Sequence, residues 1–322
     1  MKVGKISESV LKRSVIKNIK SKNENVKSGA GSDCAIFSCG DAAFTQAVHS
    51  FALKEPADIR YAIIKASNNA ACGGAVPVMA EIALLLPKET EEKELQEIMK
   101  EADKTANALH MQIAGGHTEV SESVSGVMAV VTVTGIPGAG VLFPGGAKAG
   151  QDVVASKWIG LEGTALLARR HGDRLAERIP HYMVNEAESF ASYLSVLPEA
   201  AIAVKSNVSA IHDVSVGGIF AALWELAESA GVGLTIDLKK IPVRQETIEV
   251  CEFFGISPYE LLSGGCLLMT ADNGESLVQA LDAVHIPAAV IGKVTDSHDR
   301  VVVNEEERRF LERPQTDAFI KI

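Results

Sequence analysis

Several absences narrow what this 322-residue chain can do. No hydrophobic run reaches the roughly 18 residues that span a bilayer, and the first residues hold no apolar signal core, so a cytoplasmic protein that does not enter a membrane is expected. Basic charge is scarce. Thirty-one Lys and Arg against 41 Asp and Glu leave a net charge of -10, which opposes a nucleic-acid partner because phosphate-binding surfaces need a basic excess. The five cysteines, Cys34, Cys39, Cys72, Cys251 and Cys266, include no C-x-x-C pair, which excludes the common zinc and thiol-redox spacings and leaves free thiols in a reducing compartment. Short-period repeats and low-complexity tracts are also missing.

What is present is core-forming material. Hydrophobic residues make up 47% and charged residues 22%, enough to fill substantial cores, and the length suits two domains of roughly 150 residues. Pro137 to Gly150 holds five glycines and two prolines, the densest run of chain breakers, and marks the boundary between a domain at 1–140 and another at 150–322. Lys12, Arg13, Lys17, Lys20, Lys22 and Lys27 make a locally basic start that reads as a solvated surface.

Alternation and composition predict strands near Cys34–Phe37, Ala42–Val48, Met79–Leu86 and Gly126–Gly135. An Ala-rich helix ends at Gly73 or Gly74. A second helix is capped by Thr90, with Leu95, Ile98, Met99, Ala102 and Ala106 at helical spacing. The second half restarts with strand Asp152–Ser156 and helices near Glu162–Arg170, Asn185–Leu197 and Val216–Ala230. Strands Val232–Ile236, Cys266–Thr270 and Ala288–Val294 complete an α/β pattern.

Four segments combine small residues with polar groups at the ends of apolar runs, where α/β folds place ligands. They are Gly31-Ser32-Asp33-Cys34-Ala35, Ser67 to Pro77 (SNNAACGGAVP), Gly115-Gly116-His117-Thr118-Glu119, and His212-Asp213-Val214-Ser215-Val216-Gly217-Gly218. Their order, with Gly160-Leu161-Glu162-Gly163-Thr164 between them, resembles the aminoimidazole ribonucleotide (AIR) synthetase superfamily, nearest its hydrogenase-maturation-like and synthetase-related branches. The resemblance covers almost the whole chain, and the Asp213-x-x-x-Gly217-Gly218 signature before a helix is its most specific part.

The resemblance implies a two-domain AIR-synthase-like α/β fold, with a first domain of mixed sheet and helices that binds ATP and forms a homodimer, and a second α/β domain. It implies a small-molecule substrate, ATP, and Mg²⁺ held between phosphates and carboxylates, a hard cation with oxygen ligands. Carried over by position, Asp33, Glu119 and Asp213 are the metal-ligand candidates. Asp33 and His117 are the candidates for chemistry. Gly31, Asn68, Asn69, Gly115, Gly116, Thr118, Glu119, Glu162, Asp213, Gly217 and Gly218 are the candidates for holding nucleotide. The chain departs from the family where Ser32, Gln46 and Asn69 stand at positions expected to be acidic; Asp41 is an alternative to Gln46 in a shifted register. The final ten residues hold no cysteine, unlike the hydrogenase-maturation enzyme with its terminal carbamoyl carrier.

Each candidate also has a structural reading. A lone histidine such as His117 is more often hydrogen-bonded scaffold than acid or base. Gly73-Gly74 and Gly217-Gly218 suit tight turns or close packing, and Asp213 and Ser215 suit the cap of the following helix. Glu162 fits a ligand-facing carboxylate and a first-turn acid equally well. Lys148 and Lys157 are candidate phosphate contacts. Ligase, dehydratase and kinase chemistries share this scaffold, and the alternative to all three is a catalytically degenerate paralogue.

Overall fold

The computed structural model describes residues 3–6, 8–28, 32–138, 140–142, 144–312 and 317–322. The chain divides into two compact units, one of residues 23–28 and 33–141, the other of 1–22, 29–32 and 142–322. The N-terminal residues, which the sequence pattern groups with the first half, thus cluster with the second. They carry a short helix, α1 (Glu8–Val10).

The unit around 33–141 contains β1 (Val26–Lys27), β2 (Ala35–Cys39), β3 (Ala42–Ala52), α2 (Ile59–Cys72), β4 (Ala75–Leu86), α3 (Glu92–Ala108), β5 (Gln112–Val120) and β6 (Met128–Pro137). Its six strands lie in the order β1-β2-β3-β6-β4-β5. In this sheet only the β4–β5 pair is parallel among the described pairs, as expected where α3 makes the crossover between them. β6 alternates strictly, burying Ala129, Val131 and Val133 with Ala47, Ala80 and Leu84 on the face that carries α2. The opposite face leaves Gln46, Val48 and Ser50 exposed, and β5 is exposed along almost its whole length. Thr90 is not the cap of α3: the N-cap position is Glu91, and the Thr90 amide donates to Pro87 O in the preceding turn.

The unit around 142–322 contains β7 (Asp152–Ser156), α4 (Leu161–Leu175), α5 (His181–Ser189), α6 (Leu197–Lys205), β8 (Ala210–Val214), α7 (Gly218–Ala230), β9 (Gly233–Asp237), α8 (Gln245–Phe254), β10 (Cys266–Ala271), α9 (Gly274–Asp282), β11 (Ala288–Thr295), β12 (Arg300–Asn304) and β13 (Glu307–Phe310). The strands run in the order β13-β12-β9-β11-β7-β10-β8. β8 and β10 are buried at every residue; β10 is apolar except for Thr270, whereas β8 buries the polar His212 and Asp213 among apolar neighbours. The helix expected over Asn185–Leu197 is broken into α5, a 3-10 turn at Phe190–Tyr193 and α6, because Pro198 suits a helix start and disfavours a helical residue before it.

Lys12, expected as solvated surface, pairs with Glu228 of α7 at 2.9 Å, and Lys5 pairs with Glu225 at 2.6 Å. β10 runs antiparallel to both β7 and β8, with Cys266 opposite Val214 and Leu268 opposite Ala155. The loops that follow β7 and β8 and the loop that precedes β10 therefore meet at one end of this sheet.

Candidate functional site

In the first unit the close approach is made at Gly73. A β-carbon there would lie 2.5 Å from Thr45 Cγ2 and 2.8 Å from Cys34 Sγ, so only glycine lets the end of α2 close onto the β2–β3 hairpin. That contact gathers Asp33-Cys34, Thr45-Gln46 and Asn68 to Gly74, three segments separate in sequence. Asn68 is buried, Asp33 and Asn69 are partly buried, and Gln46 is exposed opposite Ala35. Asp41 lies in the hairpin turn at the far end of β2, about 16 Å along the strand from Gln46, so it does not replace it. Gly31 lies outside the described residues. Cys34 is a packing thiol: burial and the Asp33 charge push its pKa up to about 12.

Gly115 to Glu119, which the sequence pattern left unassigned, form the edge strand β5. β6 and β4 stand between β3 and β5, so this segment is about 14 Å across the sheet from Thr45-Gln46. Its glycines differ in role. A side chain at Gly116, with φ +152°, would overlap the Ile82 backbone, whereas Gly115 faces open space. His117 Nε2 lies 3.0 Å from Glu119 Oε2, with both side chains well exposed and Thr118 between them exposed as well. In water this pair contributes little to stability and stays available to a ligand.

The second unit brings Glu162, Asp213 and Gly217-Gly218 to the common end of its sheet, and there the chain binds itself tightly. Gly160 N–H donates to Ser263 Oγ at 2.7 Å, Gly163 N–H to Leu262 O at 2.9 Å, and Ser263 N–H to Ser215 O at 3.2 Å. Glu162 is buried in the first turn of α4, directly against Gly264, where any side chain would collide with its Oε2. Asp213 is buried at the end of β8, next to His212, whose Nε2 lies 3.2 Å from Glu225 Oε2. Burial would raise the Glu225 pKa, but the His212 hydrogen bond and the Lys5 charge outweigh it and hold the group at about 2. Cys266 is buried beside Lys157, Asp213 and Glu199; burial pushes its thiol far up.

Two expectations change here. Asp213 and Ser215 do not cap α7: its N-cap residue is Gly217, with no side-chain cap of its own. The Gly217 amide instead donates to the carboxylate of Asp317 at 2.5 Å. Lys157 is not a phosphate contact, because its ammonium donates to Tyr193 O and Ser195 O, each at 2.7 Å, and pairs with Glu199 at 2.6 Å, both side chains buried. The amide of Lys148 donates to Gln151 Oε1, and no contact assigns its ammonium a role.

Among the described residues no group of three or more His, Cys, Asp or Glu is placed to hold a metal ion. Asp33 and Glu119 lie on opposite sides of one sheet, and Asp213 lies in the other unit. Ser263-Gly264-Gly265, Glu199 and Asp317 went unread in the sequence. The first had a signal: two glycines at the mouth of an apolar run, the same pattern noticed elsewhere. Asp317 had none.

A family model described as AIR synthase related protein, N-terminal domain, matches residues 31–137, and its C-terminal-domain counterpart matches residues 148–304. The chain belongs to the AIR synthase-related family. A hydrogenase expression/formation protein of Methanocaldococcus jannaschii, itself named only provisionally, is 26% identical over 99% of this chain and 97% of its own length. The carbamoyl dehydratase HypE of Rhodobacter capsulatus is 29% identical over 74% of this chain and 70% of its own. Among solved structures, hydrogenase maturation protein HypE in complex with ATP superposes with a TM-score of 0.74 at 16% identity, covering 99% of this chain and 97% of that one. AaThiL complexed with AMPPCP and TMP gives 0.75 at 19% identity, covering 97% and 98%. These likenesses establish a two-domain AIR-synthase-like fold, and no helix among the described residues is long and apolar enough to cross a membrane.

Proposed function

We propose that this member of the AIR synthase-related family binds ATP and uses it in phosphoryl transfer or dehydration of a small metabolite, working as a homodimer in the cytoplasm. The observation that carries the reading is the gathering of Asp33, Thr45-Gln46 and Asn68 to Gly74 around Gly73, in a chain whose fold follows that of an ATP-bound relative over nearly its full length. Catalysis of this kind rests on positioning and charge neutralisation more than on covalent chemistry by the protein. Mg²⁺ is ordinarily bound through one or two carboxylates together with substrate phosphates. Asp33 is the carboxylate proposed to meet that demand, and the ion would supply neutralisation of phosphate charge; Glu119 and Asp213 remain separate candidates, each in its own place in the fold. Asn68, Asn69, Gly115, Gly116 and Thr118 are proposed to hold nucleotide, and the exposed His117 to exchange a proton. The homodimer is supported by β5, an edge strand exposed almost throughout, the kind of surface that proteins ordinarily cover.

Isothermal titration with ATP and Mg²⁺, joined to an ATP-hydrolysis assay, tests the reading: binding is expected, and no heat together with no turnover would sink it. A second reading is favoured by the neutral Ser32, Gln46 and Asn69 and by the want of any preassembled metal cluster among the described residues. On it the chain is a paralogue without ATPase chemistry. Restoring acids in S32D, Q46D and N69D would then create Mg²⁺-ATP binding, whereas a wild type already active dismisses it.

A further inference from the structure

A helix N-terminus exposes amides with no intrahelical acceptor and carries a partial positive charge. At α7 these amides follow Gly217 and Gly218, whose φ values of +88° and +67° start the helix abruptly after β8. Gly218 N–H is taken by Ser215 O at 3.1 Å. Phe220 N–H is taken by Tyr259 O at 3.3 Å, and the partner of Gly217 N–H comes from a hundred residues away. Asp317, 3% exposed, accepts the Gly217 amide on Oδ2 at 2.5 Å, and on Oδ1 the Leu262 amide at 3.3 Å and the Phe319 amide at 2.8 Å.

The segment that delivers this carboxylate is itself fastened. Ala318 is fully buried, and its amide donates to Glu260 O at 3.2 Å. Phe319 packs on the cluster of Leu167, Leu175 and Leu261, with the Arg170 guanidinium 5.5 Å from its ring centre. A buried carboxylate that accepts backbone amides makes charge-assisted hydrogen bonds, roughly twice as strong as neutral ones.

We infer that Asp317 is a positioning residue that serves α7 as a built-in anion, fastening the Asp213–Gly218 turn to the loop before β10. The Gly217 amide is therefore not a phosphate donor, which corrects the most specific motif of the chain: its glycines admit the chain's own carboxylate and the close passage of the Tyr259–Glu260 backbone past Gly218. The effect on nucleotide binding rests on the function proposed above; the fastening does not.

The test uses the full chain as wild type, D317A and D317N. Amide hydrogen exchange at Gly217 and Leu262 should accelerate at least tenfold in D317A while β10 stays protected. D317N, which keeps one neutral oxygen, should retain protection at one of the two amides, and it carries the test if D317A does not fold. Acetate, compared with chloride at equal ionic strength, should raise the melting temperature of D317A and leave wild type unmoved, which a side chain needed only for packing would not produce. Unchanged exchange at Gly217 in both variants, or melting of D317A that is blind to the anion, overturns the inference. Where wild type binds ATP, D317A should bind at least fivefold more weakly, and equal affinity overturns the link to nucleotide binding, with exchange and rescue deciding on the fastening. A wild type that binds no ATP sinks the nucleotide reading alone, and exchange and rescue then decide on Asp317.

Discussion

The two units treat their motif residues in opposite ways. Around 33–141 Thr45, Ser67 and Asn68 are buried, but Asp33, Gln46, Asn69, His117, Thr118 and Glu119 lie half-buried or exposed on a sheet whose one face is open, and acids are few among them. Around 142–322 the corresponding loops bury their carboxylates and amides against one another, so Glu162, Asp213 and Asp317 lie inside a cross-linked end of the sheet. Several motif side chains in the first unit face solvent, whereas a similar motif in the second mostly meets its own chain. Glycine shows the same contrast, since Gly115 faces open space and Gly264 presses on Glu162.

The contrast can be broken most sharply at Lys157. Lys157→Met leaves Glu199 buried without its cation, and urea unfolding should show a loss of about 3–5 kcal/mol, most of it recovered when Glu199 is also replaced by Met. A loss under about 1 kcal/mol would mean that the buried pair is not what holds this loop. Next comes the glycine pair. Gly264→Ala should cost about 1–3 kcal/mol through the forced shift of Glu162, while Gly115→Ala should stay within about 0.5 kcal/mol. Similar losses at both would erase the distinction between open and closed motifs.

A smaller effect is expected at Glu225, whose folded pKa of about 2 lies below its ordinary 4.5. Because that pKa is depressed, the stability from its bonds to His212 and Lys5 is present above about pH 4.5 and is lost as pH falls toward 2. Glu225→Gln should remove about 1–2 kcal/mol at neutral pH and flatten the acid limb of a stability-against-pH curve. An unchanged acid limb would show that the contact with α7 adds nothing. The smallest effect on stability should come from His117→Ala or Glu119→Ala, within about 0.5 kcal/mol by thermal melting. Either change should nonetheless weaken ATP binding if β5 carries part of the site.

Much of the architecture was readable in the residues. The β-branched run Gly126–Gly135 and the apolar run Cys266–Thr270 were expected as strands and form β6 (Met128–Pro137) and β10 (Cys266–Ala271). Local chemistry failed at caps. Thr90 and Ser215 have the right side chains for helix starts, but the helices begin two or three residues later, at Glu92 and Gly218. The break between α5 and α6 was signalled by Pro198 and overlooked under a helical pattern.

Residue types and their spacing by themselves determined the fold class, the family resemblance and the segments worth watching, because hydrophobic period and chain breakers act over a few neighbouring residues. Which candidates remain open to a ligand was decided only in three dimensions. Lys157 gave its ammonium to Glu199, 42 positions away, and Asp317 took the Gly217 amide a hundred positions away. Such pairings depend on which loops reach the same end of a sheet, and that is set by strand order rather than by the residues on either side.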